Sequence, residues 1–235
     1  MFHPRPAVHA RPLPDGQVCL VIDGVLERPE AWVAQAEAHR ERFEELPGNA
    51  YPGPELRLPA DITAPLEHYF AAHARSALGL RRTLEAYSRL SLATWPVERL
   101  QPRQWICHRD RLARDPAHGV AASVLYLFED ASLGGTAFYR PRVDEPSIAR
   151  LVHDSGVLSP EAFQARYGIA PGYLAGSNAW FECVEVVEPR FNRLIVYRGE
   201  VFHSAHITRP EALVDDPRCG RLTLNGFFTC TRRLG

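Results

Sequence analysis

In the segment RQWICHRD, His108 and Asp110 stand two residues apart, and in an extended chain residues two apart point to the same side. One imidazole nitrogen and one carboxylate oxygen are thereby offered to a single point, with Arg109 turned away. Two such donors hold a metal weakly, so a third must come from elsewhere in the fold. His203, in EVFHSAHI, is the best candidate, because Val201, His203 and Ala205 share one face and the small Ala205 leaves room beside the ring. Two histidines and one carboxylate leave coordination positions open for a second ligand and dioxygen, the arrangement of non-haem Fe(II) sites. With ten histidines in the chain, an HxD pair and a later His are weak evidence by themselves.

The run GRLTLNGFF adds to it. Arg221, Thr223 and Asn225 alternate there with Leu222, Leu224 and Gly226, which sets a guanidinium and a hydroxyl side by side on one face of a strand. A buried arginine needs an anionic partner, and a carboxylate matches its planar fork. The distal carboxylate of 2-oxoglutarate meets that demand. Tyr126 alternates with Val124 and Phe128 in AASVLYLFED and offers either a phenol hydrogen bond to the same molecule or an ordinary core ring.

These side chains must be positioned by strands. Short β-rich runs separated by Gly, Pro and Asp extend from about residue 87 to the end, the texture of an antiparallel barrel or sandwich. Before them, residues 17–22 read as a strand. A helix follows in which Trp32, Ala36, Phe43 and Leu46 recur at helical spacing, and a second helix is expected over 62–78. Residues 142–176 interrupt the β texture. Ser159-Pro160-Glu161 marks a helix start there, and the segment is placed to cover the barrel mouth. One domain is expected over 1–235, with 1–86 as helical support and 87–235 as the barrel core.

Other residues have plainer readings. His206 falls on the face of its strand opposite His203, and His118 and His153 fall in loop or insertion segments open to solvent. Cys107 turns away from His108 as a buried thiol. Trp105 and Trp180 read as core. Gly134-Gly135 is a turn, since no GK[ST] follows. Asn192-Arg193 either meets substrate at the mouth or caps a turn.

The 235 residues are 46% apolar and 23% charged, with a formal net charge of −1, so a sizeable core is expected and a basic nucleic-acid surface is not. Arg109, Arg111 and Arg114 form a local basic group suited to a small anion. No signal-peptide pattern opens the chain and no run approaches the ~18 apolar residues of a membrane span. Five cysteines without a CxxC pair suggest reduced thiols and a cytoplasmic protein. Self-association as a homodimer is left open.

The ordered motifs resemble the 2-oxoglutarate/Fe(II)-dependent dioxygenases, in particular their prolyl-hydroxylase-like branch and an uncharacterised bacterial group within it. VIDGVLERPEAW is similar to that superfamily's opening strand and helix and YPGPELR to its early loop. HRD matches the HxD motif, SVLYLFEDASLGGTAFY is similar to the tyrosine-bearing strand with its Gly-Gly-Thr turn, VFHSA supplies the distal histidine, and GRLTLNGFF resembles the Gly-x-Arg-x-Ser/Thr strand with one residue missing between Gly220 and Arg221. The resemblance implies a double-stranded β-helix of the jelly-roll or cupin-like kind. It implies Fe(II) on His108, Asp110 and His203, with 2-oxoglutarate as co-substrate on Arg221 and Thr223, and O2. It also implies hydroxylation of an amino acid, peptide or small metabolite with release of succinate and CO2. A carboxylate at Asp110, where halogenases of the superfamily carry Gly or Ala, implies hydroxylation rather than halogenation.

Eighteen positions separate His203 from Arg221, more than the branch usually shows, which keeps Arg218 as an alternative. Two other functions stay open at this point. A cupin-like metalloenzyme would keep the triad and have no use for Arg221 and Thr223, and a catalytically silent barrel would act as a binding module.

Overall fold

The alternation in GRLTLNGFF becomes part of a twelve-residue strand, Arg221–Arg232, buried along most of its length and hydrogen-bonded on both sides. The structure is a computed structural model, and it describes residues 1–45, 50–110 and 115–232. In chain order its elements are β1 (Val8–Pro12), β2 (Val18–Asp23), α1 (Glu30–Ala38), β3 (Glu55–Arg57), α2 (Ala60–His73), β4 (Leu80–Ala93), β5 (His118–Tyr126), β6 (Thr136–Pro141), α3 (Glu145–Ser155), α4 (Pro160–Tyr167), β7 (Phe181–Val187), β8 (Arg193–Arg198), β9 (Phe202–Ala205) and β10 (Arg221–Arg232).

The chain is mainly β, with a few helices and two antiparallel sheets. Seven strands run in the order β1-β2-β8-β5-β10-β4-β3 and three in the order β7-β6-β9. The period of two sorts the large sheet into two faces. On the outer face Leu90, Leu125, Leu222, Leu224 and Phe228 pack under Leu66 and Phe70 of α2, with the Phe70 and Phe228 rings stacked 4.1 Å apart. On the inner face Tyr126 and Tyr197 meet Phe138 and Val187 of the small sheet, and the polar residues of β10 look into the space between. Loss of one of these rings to alanine would cost about 3–5 kcal/mol by cavity formation.

Register fixes which side chains meet there. Glu55, Ser91, Thr223 and Tyr126 form one row across β3, β4, β10 and β5, and Arg57, Arg89, Asn225 and Val124 form the next.

The first 86 residues are not only helical support. They contribute β1, β2, β3 and the first half of β4 to the large sheet. β1 escapes sequence reading although Val8 and Ala10 alternate with His9 and Arg11, because the run is short, lies among four prolines and buries none of its five residues. Helix α1 ends at Ala38, a 3-10 turn spans Arg40–Arg42, and Phe43 is extended. Mutual backbone hydrogen bonds of Glu44 with Glu55, 2.9 Å each, capture this segment before the helical period can continue. Leu46, expected on the same helix, lies outside the described residues. Helix α2 stops at His73, and Ala74 and Leu78 reach the core from the turns that follow. RQWICHRD is not a full strand, since only His108 bridges to His203. The 142–176 interruption holds two helices. The start at Ser159 is capped through Ala162 N–H, and the other begins at Asp144, whose side chain accepts from Ser147 N–H at 2.8 Å.

No helix among the described residues is long and apolar enough to cross a membrane.

Candidate metal centre and adjoining cavity

His203 comes from β9 and His108 from the segment bridged to it, with mutual backbone hydrogen bonds of 3.0 and 2.9 Å. Their rings lie 4.5 Å apart between centroids. Asp110 is pinned by its own N–H, which donates to Gly199 O at 2.8 Å. The three side chains bring one donor atom each within 4.8 Å of the others, and Asp110 Oδ1 is 3.7 Å from His203 Nε2. His203 Nδ1 lies 2.8 Å from Val201 O, which fixes the tautomer with the proton on Nδ1 and leaves Nε2 as a lone-pair donor.

The electrostatics suit a cation. Burial, and for His108 the neighbouring His203, lowers both imidazoles to about 4, so both rings are neutral donors at physiological pH. Burial also raises Asp110, and its Oδ2 is enclosed without a hydrogen-bond partner. An enclosed, unsatisfied carboxylate oxygen beside two neutral imidazoles is costly in the empty protein. A divalent ion removes that cost, so the donor set fits a transition metal of the Fe(II) type.

This geometry carries a pH dependence. An unfolded histidine takes up its proton near 6.5, and these two do so only near 4 in the folded, metal-free protein. Between those values the unfolded chain binds more protons, so stability falls as the pH falls, by up to about 1.4 kcal/mol per pH unit for each ring. Asp110, raised by burial when folded, contributes with the opposite sign, as one group against two. Chelator-treated protein should therefore melt at lower denaturant concentration at pH of about 5 than at neutral pH, and an unchanged midpoint would mean that the rings are not buried as neutral groups.

Gly199 is the backbone support for Asp110. A Cβ there would come within 2.8 Å of Asp110 Oδ2 and 2.9 Å of its Cβ. Gly199→Ala is expected to displace the carboxylate and weaken metal binding by ~10–100-fold, the range for groups that orient a ligand. Its stability cost should stay near ~1–3 kcal/mol, as for local overpacking. Calorimetric metal titration with denaturant melts measures both.

A cavity of about 130 Å³ opens from the cluster and is lined by Tyr51, Arg89, Thr136, Tyr173, Arg221 and Thr223 among others. It is of the order of the ~150 Å³ cavities that admit a small ring compound. Arg221 is 3% exposed. Its Nε and Nη2 donate to Gly134 O at 3.0 Å and Gly135 O at 2.8 Å, so the Gly-Gly turn aims the guanidinium. The turn has to be glycine, since a Cβ at Gly134 or Gly135 would lie 1.9 or 2.0 Å from the carbonyl oxygens of His206 and Val187. Among the described residues no carboxylate pairs with Arg221. Thr223 is buried beside it, with its hydroxyl 3.1 Å from Asn225 Nδ2.

Tyr126 is fully buried but does not line this cavity. Its hydroxyl is 2.7 Å from Thr136 Oγ1, and Thr136 does. Arg218 is excluded as the cavity arginine, because its side chain is 66% exposed and paired with Asp216 at 2.8 Å and Glu37 at 3.8 Å. Asn192 caps a turn through Leu26 N and O, 2.8 Å each, and Arg193 pairs with Asp23, so neither meets the cavity. His206 faces Ala175 O, and Cys107 is buried on the far side of the bridge in the cluster of Trp105 and Phe202.

The 142–176 segment supplies Tyr173 and Leu174 to the cavity wall, and the Tyr173 hydroxyl donates to Trp95 O at 2.7 Å. On the other side of His108 and Asp110, an open cleft of about 600 Å³ is lined by Arg103, Arg109, Val152 and His153, within the size range of metabolite sites. Arg109 there pairs with Glu145. Arg111 and Arg114 lie outside the described residues.

Sequence reading missed Arg89, Glu55 and Tyr51. Arg89 faces the cavity and is clamped by buried Glu55, with Nε 2.8 Å from Oε1 and Nη1 donating to Oε2 at 2.9 Å. The available signal was the alternation in YSRLSLATW, which puts Tyr87, Arg89 and Ser91 on one face.

Fold and site together define a mainly β protein with a two-histidine, one-carboxylate cluster, buried at His203 and half-buried at His108 and Asp110, next to an arginine-ended cavity. The chain belongs to the family of unknown function DUF6445, whose profile matches residues 4–228. No curated protein matches it. Among solved structures it is similar to a Pseudomonas putida prolyl-4-hydroxylase, at 19% identity over 98% of this chain and 93% of that one, with a TM-score of 0.42. It is also similar to HygX from Streptomyces hygroscopicus with nickel and 2-oxoglutarate bound, at 12% identity over 91% and 82%, with a TM-score of 0.48. A third is an N-substituted L-amino acid dioxygenase from Burkholderia ambifaria, at 13% identity over 97% and 95%, with a TM-score of 0.40. TM-scores below 0.5 leave the functional case to the chain's own residues.

Proposed function

We propose that this chain is an Fe(II)- and 2-oxoglutarate-dependent oxygenase built on a double-stranded β-helix, hydroxylating a C–H bond of an amino acid, peptide or small metabolite. The observation that carries the reading is the buried Arg221, which shares a cavity with the metal cluster and has no carboxylate partner among the described residues. Burying an unpaired guanidinium is costly, and an anionic ligand that also reaches the metal removes the cost. A cupin-like metal site would leave Arg221 unexplained.

His108, Asp110 and His203 would hold Fe(II). Arg221 would receive the distal carboxylate of 2-oxoglutarate, with Thr223 beside it, and Tyr126 would act only by orienting Thr136. When bound, iron with 2-oxoglutarate and O2 supplies the oxidant for the C–H bond, with succinate and CO2 as co-products. The chain keeps both rings neutral, aims Arg221 through the Gly-Gly turn and excludes water with Tyr173 and Leu174. The open cleft beyond His108 and Asp110 would admit the substrate. The chain's partners would thus be small molecules or peptides rather than nucleic acid, and its five unpaired cysteines suit the reducing cytoplasm. The direct test is the visible charge-transfer band of an anaerobic Fe(II)–2-oxoglutarate complex.

A further inference from the structure

The co-substrate cavity holds a second guanidinium whose setting has the marks of a ligand contact. Arg89 is 23% exposed and its partner Glu55 only 3%. Glu55 also accepts from Ser91 Oγ at 3.0 Å. Ser91 Oγ in turn accepts from Asn225 Nδ2 at 2.9 Å, and Asn225 reaches Thr223 Oγ1 at 3.1 Å. A hydrogen-bonded chain therefore runs from the Thr223 row to Arg89, and the guanidinium is further braced over the Phe227 ring at 4.9 Å. With Nε and Nη1 facing Glu55, Nη2 is left without a hydrogen bond among the described residues.

The two arginines stand at different ends of the cavity. Arg89 lies opposite Asn225, four residues along β10 from Arg221, or roughly 13 Å between backbone positions. Asp110 donates its N–H to Gly199 O, Gly199 donates its own to Val120 O, and Val120 pairs with Thr229. The metal cluster therefore sits toward the Thr229 end of β10, and Asn225 with Arg89 opposite it lies between that end and Arg221. Arg89 is thus the guanidinium on the metal side. A divalent metal, Asp110, Glu55, Arg89 and Arg221 leave two formal positive charges, the complement of a dicarboxylate.

We propose that Arg89 is a second carboxylate-binding residue of the co-substrate site, taking the metal-side carboxylate of 2-oxoglutarate while Arg221 takes the distal one. This rests on the 2-oxoglutarate reading above. Glu55 is then a positioning residue, there to fix the fork of Arg89.

The test is anaerobic titration of the Fe(II)-loaded protein with 2-oxoglutarate and with 2-oxopentanoate, which has the same chain length and no distal carboxylate, followed by the charge-transfer band. Arg221→Gln should collapse the preference for 2-oxoglutarate over 2-oxopentanoate. Arg89→Gln should weaken both acids together, by about tenfold or more, keep their ratio and shift the band maximum, and Arg89→Lys should recover part of the loss. Wild-type affinity in Arg89→Gln, as for a residue serving the primary substrate, would overturn the assignment. So would a loss confined to 2-oxoglutarate. If Arg89→Gln does not fold, Arg89→Lys decides alone, since it cannot fork with Glu55 and must still weaken both acids in common. Failure of the wild type to form a band with either acid would reject the parent reading instead.

Discussion

Asp110→Ala should lower Fe(II) affinity by at least ~100-fold, more than loss of a group that merely orients a ligand, while the metal-free protein becomes more stable. The first effect follows from removing one of three donors and leaving two imidazoles, which hold a divalent ion poorly. The second follows from burial. Asp110 carries an enclosed oxygen with no hydrogen-bond partner, burial raises its pKa, and its deletion relieves a desolvation cost of about 1–3 kcal/mol. Opposite signs for metal affinity and apo stability are the signature of a residue kept for function. Chelator-competition titration gives the first and denaturant melts of metal-free protein give the second. A stability loss with metal affinity intact would make Asp110 a structural residue.

Arg221→Ala should cost ~2–5 kcal/mol in 2-oxoglutarate binding, the usual price of truncating one partner of a buried charge pair, or at least about thirtyfold in Kd. Fe(II) affinity should be largely retained, because Arg221 touches none of the three donors. The substitution also strips Gly134 O and Gly135 O of their donors, so some stability is lost, and affinity has to be measured by titration on folded protein. Arg218→Ala is the control. Its side chain is turned out to Asp216 and Glu37, and its loss should leave 2-oxoglutarate binding unchanged. The reverse outcome would move the anion site to the exposed arginine and dissolve the one-cavity picture.

What could be read from the sequence was local. His108-x-Asp110 and Arg221-x-Thr223 use the period of two, which needs no knowledge of neighbours, and the small Ala205 beside His203 is visible in the same way. What could not be read depends on register. Glu55, Arg89 and Asn225 meet only because β3, β4 and β10 align, and Glu55 is 170 positions from Asn225. Gly199 looks like a turn glycine until the Asp110 carboxylate is found against it. The overlong first helix failed for a related reason, since the Glu44–Glu55 pairing is a tertiary contact that overrides helical spacing. α3 was announced by Asp144 as an N-cap, Pro146 in its first turn and Ile148 and Leu151 at helical spacing, whereas β1 offered only a short Val8–Ala10 alternation among prolines.

The central claim is that one cavity holds a metal at His108, Asp110 and His203 and a 2-oxo acid reaching from that metal to Arg221. It is tested most directly by adding Fe(II) and then 2-oxoglutarate to the protein without oxygen and recording the visible spectrum. A weak charge-transfer band should appear, saturate at one equivalent of each, and vanish in Asp110→Ala. Protein that binds Fe(II) at these residues and shows no band with excess 2-oxoglutarate would contradict it.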